Sequence, residues 1–331
     1  MKSKNFPIDF VVPWVDGSDP EWIEQYNKYV PEEKKKKEFH FRDYGLLRYW
    51  FRGVEKFTPW VNKVHFVTCG QKPTWLNLDC PKLHWVKHSD YIPSEYLPVF
   101  SARPIELYFH KIPDLQEHFV FFNDDFYITD SMKPQDFFKH GKSCDCAIME
   151  VKDSGKAPQI NTIFNNINAI NKNFKKKHVI SNNLSKWFNP VYGKMNYYNF
   201  KLNYLQKFPG FIDFHMAQPY TKTLFEEVWS HCKNELDTTM PNRIRSINDV
   251  NHYLFRYWQL CRGAFCPINL KKRRRFYRLD TANIDDLCNA IKNRTYKQIV
   301  INDSDIDIET KMEKILQAFE QQFPQKSMFE I

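Results

Sequence analysis

Between Ile8 and Phe122 the chain switches repeatedly between short apolar runs and helical apolar stripes, and this alternation limits the fold more than any other feature. IDFVV (8–12), VHFVT (64–68), LHWV (83–86) and FVFF (119–122) are too short and too rich in β-branched and aromatic residues for helices, so they read as strands. RDYGLLRYWFRGVEKF (42–57) places apolar residues at 46, 47, 50, 51, 54 and 57, one face of a helix. Ser101 is positioned to cap another helix, carrying Ile105, Phe109 and Ile112. Strand and helix in alternation imply an α/β, Rossmann-like fold: a largely parallel sheet with helices on both faces. Such sheets bind ligands beyond the carboxyl ends of their strands. Asn123-Asp124-Asp125 follows FVFF at one such end, and Asp16-Gly17 follows the first strand in VVPWVDGSD.

The pattern weakens from 141 to 210, where Asn and Lys are abundant, and an irregular insertion able to cover the site is expected there. Helices resume with the capping-box pattern Thr223-Leu-Phe-Glu226. A further helix follows, with Val250, Tyr253, Leu254, Tyr257, Trp258 and Cys261 on one face. QIVI (298–301) reads as a strand, NDSDID as a loop, and Ile308, Met312, Ile315, Leu316 and Phe319 as the stripe of a last helix. The expected organisation is one domain over residues 1–331, with 1–140 as a first sheet half carrying the carboxylates at its strand ends, 141–210 as the insertion, and 211–331 as a second half ending in a C-terminal helix.

Aromatic residues make up 17% of the chain and there are only 9 glycines, which argues for an ordered globular protein. No apolar run approaches the ~20 residues needed to cross a bilayer, and no apolar segment follows the early lysines. The expected location is the cytoplasm, peripheral at most at the inner face of the membrane. Without a secretory signal, the eight cysteines, which lack a paired CxxC, read as free buried thiols, and the sequons at Asn183, Asn293 and Asn302 carry no weight. The formal charge of +9 is concentrated in Lys34–Lys37, Lys175–Lys177 and KKRRRFYR, Lys271–Arg278. The last run interleaves Phe276 and Tyr277 with arginines, which suits a phosphate-rich partner or an anionic membrane surface. No helix-turn-helix, zinc or RNA-recognition signature accompanies it, so nucleic acid is not an expected partner.

Taken singly, the ionisable residues stay ambiguous. Asp124 and Asp125 can hold a hard divalent cation such as Mg²⁺ or Mn²⁺, do acid/base work, or cap the turn that follows. Asp16-Gly17-Ser18-Asp19-Pro20 is first of all a turn motif. His215, in GFIDFHMAQPY, follows an alternating strand-like run, where a lone histidine is more often structural. Arg243 and Arg245 precede a helix expected to start near Asn248 and could support a phosphate at its N-terminus.

Taken together the blocks are far more specific. VVPWVDGSDPEW, HFRDYGLLRYWFRGVEKFTPWVNKVHFVTCGQKPTWL and LPVFSARPIE with FVFFNDDF closely resemble the first two signature blocks of the Stealth family of sugar-phosphate transferases. FHMAQPYTKTLFEEVW through RIRSINDVNHYLF resembles the third, and IVINDSDID with FEQQFPQKSMFE the fourth. The family includes bacterial capsular polysaccharide phosphotransferases and the animal N-acetylglucosamine-1-phosphotransferase. The resemblance implies transfer of hexose-1-phosphate or N-acetylhexosamine-1-phosphate from a nucleotide diphosphate sugar, usually UDP-linked, to a hydroxyl of a glycan acceptor, with release of the nucleoside monophosphate. Carried over by motif, it assigns catalysis to Glu106, Asp125, His215 and Arg245; consistent with that, Asp124 and Asp125 are expected to hold a Mg²⁺ or Mn²⁺ ion, and Asp16, Gly17 and Arg243 to bind the donor. A lipid-linked acceptor would fit the basic run. Two departures stand out: the proline of FVVPWV and the HMAQP turn, neither of which removes an ionisable group. Two other readings compete: a metal-dependent glycosyltransferase releasing nucleoside diphosphate, and a non-catalytic carbohydrate-binding protein.

Overall fold

The computed structural model describes residues 6–35, 44–153, 160–303 and 309–331. Its main sheet has the order β3-β2-β1-β4-β8. Strands β1 (Ile8–Pro13), β2 (Val64–Thr68), β3 (Leu83–Lys87) and β4 (His118–Phe121) are parallel, and β8 (Gln218–Thr221) runs antiparallel to β4. Residues 8–12 and all of β2 are buried, as near-continuous apolar strands of a sheet covered on both faces should be. Alternate residues of β1 feed two cores: Phe10 and Val12 pack into one, Val11 into the other. The strand order reverses at β1, with β2 on one side and β4 on the other, so the crevice beyond their carboxyl ends is the topological switch point.

QIVI does not join this sheet. It forms β11 (Gln298–Asn302) of a second, three-stranded sheet, parallel to β10 (Arg274–Arg278) and antiparallel to β5 (Phe126–Ile128). Asn123-Asp124-Asp125 is therefore the turn by which the chain leaves one sheet and enters another. The basic run is not a solvated loop: its second half is β10, with Tyr277 buried. A third small sheet joins β6 (Phe138–Lys139), β7 (Lys142–Asp145) and β9 (Phe265–Pro267).

Asp19 caps α1 (Pro20–Tyr29) by accepting from the Glu21 N–H. Helix α2 (Leu47–Phe57) lies against β5 so closely that a Cβ on Gly53 would stand 2.5 Å from the Ile128 carbonyl oxygen. Ser101 caps α3 (Ala102–Leu107), which is shorter than the apolar spacing implied; Phe109 falls in a separate 3₁₀ turn. A short α4 (Pro134–Phe137) follows.

The stretch expected to be irregular instead holds α5 (Ile160–Asn173), α6 (Lys176–Asn182), α7 (Leu184–Trp187) and α8 (Asn196–Leu202). Asparagines hid the period because some of them are inside. Buried Asn166 donates to Asn251 Oδ1 at 2.7 Å, and buried Asn199 donates to the Ala147 and Trp187 carbonyls while accepting from the Met149 N–H. A hydrogen-bonded buried amide breaks an apolar stripe without breaking the helix.

Thr221, not Thr223, caps α9 (Lys222–His231), accepting from the Leu224 N–H. Then come α10 (Lys233–Thr239), α11 (Tyr253–Cys261), α12 (Ile284–Lys292) and α13 (Glu309–Gln322). Ile308 lies outside the described residues. All eight cysteines are free; six are buried, but Cys69 is exposed and Cys266 half-buried. Among the described residues no helix is long and apolar enough to cross a membrane.

Candidate active site

The antiparallel direction of β8 decides where the site forms. Its first residue, Gln218, pairs with Phe121 at the carboxyl end of β4, so the chain entering β8 passes beside Asn123–Asp125. His215 lies on that entry, and its Nε2 stands 3.6 Å from Asp125 Oδ2. The backbone of His215 is in the left-handed region, at φ 34°, an uncommon conformation for a residue with a Cβ. Buried Arg256 on α11 locks this entry. It donates to both Asp145 carboxylate oxygens, to Asp213 Oδ1 at 3.0 Å and to the Ile212 carbonyl at 3.0 Å. Gln218 adds a hydrogen bond to Asp145 Oδ2, and Lys152 pairs with Asp213 at 3.2 Å.

Helix α3 supplies the opposite wall. Arg103 reaches Asp249 Oδ2 at 2.6 Å and the Ser246 carbonyl at 2.8 Å, pinning the loop that carries Arg245. One turn further along α3, Glu106 is buried and accepts a hydrogen bond from the His252 N–H. Glu106, Asp124, Asp125, His215 and Arg245 all line one cavity of about 620 Å³ at the switch point. That volume lies within the roughly 300–1,000 Å³ typical of small-molecule sites. Pro13, Trp14 and Val15 bring the end of β1 to the same cavity.

The electrostatics of the cavity are uneven. Burial pushes the Glu106 carboxyl up to about 8, against smaller opposing effects of the His252 N–H and of Arg245 and Arg103. Near neutral pH Glu106 is thus mostly protonated. Burial also lowers Arg245 from its ordinary value, and among the described residues its guanidinium makes no hydrogen bond or ion pair. An arginine fork left unpaired in a cavity is suited to a planar oxyanion. His252, whose imidazole meets the Tyr220 hydroxyl at 3.0 Å, is pushed down to about 3 by burial and stays neutral.

Asp125 has the donor chemistry for a hard cation. Its Oδ2 faces His215, while its Oδ1 is buried without a hydrogen-bond partner, an arrangement a divalent ion would satisfy. Among the described residues no group of three or more His, Cys, Asp or Glu side chains could hold a metal by itself. Any ion here would draw further oxygens from a ligand or water.

Three residues expected at the site lie outside the cavity lining. Asp16 makes a turn, its Oδ1 accepting from the Ser18 N–H and hydroxyl, and it is tied to Gln71 through its backbone; Gly17 belongs to the same turn. Arg243 donates to the Leu97 carbonyl, and its guanidinium lies 5.2 Å from the Tyr29 ring centre. Nor do these arginines precede a helix at Asn248, since α11 begins at Tyr253. Conversely, Asn302 and Asp303 line the cavity, although the loop that they open carries no recognised site motif. Their signal was present: they follow the QIVI strand as Asn123–Asp125 follows FVFF. His252 and Arg103 offered no comparable signal.

Residues 6–34 match Stealth protein CR1, conserved region 1, and residues 40–145 match Stealth protein CR2, conserved region 2. Over 329 residues, 98% of both chains, the protein is 38% identical to the capsular polysaccharide phosphotransferase WcwK of Streptococcus pneumoniae. The chain belongs to the Stealth family. Two more members extend the comparison. The receptor polysaccharide phosphotransferase WefC of Streptococcus gordonii is 38% identical over 98% of this chain and 99% of its own. The exopolysaccharide phosphotransferase cps2G of Lactiplantibacillus plantarum is 34% identical over 98% and 96%. As a Stealth protein aligned along almost its whole length with phosphotransferases, the chain is an enzyme of that class.

Proposed function

We propose that this Stealth protein transfers hexose-1-phosphate or N-acetylhexosamine-1-phosphate from a UDP-linked sugar to a hydroxyl of a glycan acceptor in capsular or cell-surface polysaccharide synthesis. The observation that supports it best is the convergence of Glu106, Asp125, His215 and Arg245, remote in sequence, on one diphosphate-sized cavity. The acceptor oxygen attacks the sugar-bearing phosphorus, the bond from that phosphorus to the bridging oxygen breaks, and the nucleoside monophosphate leaves with the bridging oxygen. Phosphoryl transfer asks a protein mainly for positioning and charge neutralisation.

Each side chain has a part in that step. With Nε2 3.6 Å from Asp125 Oδ2, His215 keeps Nδ1 to take the acceptor proton, and the nearby Asp125 carboxylate favours the imidazolium that forms. Arg245 offers its unpaired fork to the oxygens of the transferred phosphoryl group. Glu106, mostly protonated, donates a hydrogen bond to phosphate or sugar without adding negative charge beside the diphosphate. Asp125, with Asp124 beside it, would hold Mg²⁺ or Mn²⁺, which when bound neutralises charge on the diphosphate. The buried, unpartnered Asp125 Oδ1 supports that placement.

The released nucleotide tests the reading. Turnover of a UDP-sugar should yield UMP and should stop when the cation is chelated. UDP as the product would establish sugar transfer with retention of the diphosphate on uridine, and would overturn the proposal.

A further inference from the structure

His215 separates two environments. On its inner side the imidazole meets Phe126 edge-on at 4.9 Å; Phe126 is buried and lines the cavity. On its outer side it meets Phe276 at 5.6 Å, also edge-on, but Phe276 is 41% exposed and is not part of the cavity lining. Strand register explains the pair. Val300 on β11 aligns with Phe126 on β5 and with Phe276 on β10, so the three side chains form a row on one face of the second sheet. The imidazole therefore spans a row of which one end is inside and the other is in water. Arg274, also on β10, holds it there: its Nη1 donates to the His215 carbonyl at 3.1 Å and its guanidinium stands 4.7 Å from the Phe214 ring.

With the donor in the cavity, the side of His215 that faces solvent, where Phe276 stands, offers an acceptor its approach. Pyranose rings present a face of C–H groups that packs on an aromatic ring while their hydroxyls remain free at the rim. We propose that Phe276 is the platform for the acceptor sugar, holding the terminal hexopyranose of the glycan so that one hydroxyl meets His215. This rests on the phosphotransferase reading above. The surroundings narrow the ligand class further. Lys271, Lys272 and Arg275 are exposed along the same segment, and a glycan built by sugar-phosphate transfer carries a phosphodiester in each repeat, so it is anionic behind its neutral terminal ring.

The test compares acceptor and donor kinetics in the full chain. Methyl β-D-glucopyranoside and methyl β-D-galactopyranoside serve as acceptor probes with a UDP-hexose donor, and nucleotide release is followed. Covering the exposed two-fifths of a phenylalanine side chain corresponds to about a fivefold change in affinity. Phe276→Ala should therefore raise the acceptor KM by about that factor without a matching rise in donor KM, and Phe276→Trp should retain the low acceptor KM. Equal acceptor KM values in wild type and Phe276→Ala would overturn the proposal. So would a donor KM that rises in step, which would make Phe276 only a support for His215. Co-sedimentation with phosphatidylglycerol vesicles separates the other use of such a strand: loss of vesicle binding in Phe276→Ala with an unaltered acceptor KM would assign the residue to a lipid surface instead. If the wild type released UDP, the phosphotransferase reading would fail, yet the acceptor KM comparison would still decide the role of Phe276.

Discussion

Replacing Glu106 by glutamine removes one titration from the protein while leaving its shape and hydrogen-bonding reach nearly intact. In the folded chain burial lifts this carboxyl from an ordinary 4.5 to about 8. The folded state therefore binds this proton more tightly than the unfolded state. The associated stability is fully present below about pH 4.5 and is lost as pH rises through 8. Over that span, at about 1.4 kcal/mol per pH unit, the loss amounts to about 5 kcal/mol. The amide of the variant does not titrate in this range. At pH 5 the Glu106→Gln variant and the wild type should unfold at similar urea concentrations; at pH 8.5 the variant should be the more stable by about that amount. Urea titrations of both proteins across this range measure the difference directly, and the other titrating groups largely cancel in it. Stability curves that stay parallel from pH 5 to 8.5 would refute the reasoning, because they would mean that Glu106 ionises normally in its buried position.

Two further outcomes follow from the geometry. His215→Ala should lower turnover by ~10²–10⁴-fold, the usual cost of a lost general base, with donor affinity by calorimetry largely retained; near-normal turnover would remove His215 from the chemistry. Arg256→Met leaves the buried Asp145 carboxylate without its cation and should cost about 3–5 kcal/mol in urea unfolding, whereas a loss under 1 kcal/mol would show that the network is not needed to hold the His215 segment.

Much of what depends on local periodicity in this protein was legible in its linear pattern; the exception is α5–α8, where buried, hydrogen-bonded asparagines interrupt the apolar stripe. Runs such as FVFF and VHFVT had to be strands, because burial on both faces demands continuous apolar residues, and the 46–57 stripe had to be a helix lying on them. The position of Asp124 and Asp125 at a strand end followed from the same one-dimensional pattern. Strand direction and partner choice are long-range properties, and they were settled in three dimensions. Nothing in QPYT announces that it pairs antiparallel with β4, yet that single fact carries His215 to Asp125 rather than to the far edge of the sheet. QIVI reads as a strand in any context, but only folding put it in a second sheet and so brought Asn302 and Asp303 to the cavity. Asp16 and Arg243 stood where the linear pattern favoured a site, but a turn hydrogen bond engages Asp16, a long-range one to the Leu97 carbonyl engages Arg243, and neither lines the cavity. The chemistry of Glu106 was equally out of reach: a glutamate in RPIE is an ordinary acid until the packing around α3 removes its water, and that desolvation exists only in the assembled fold.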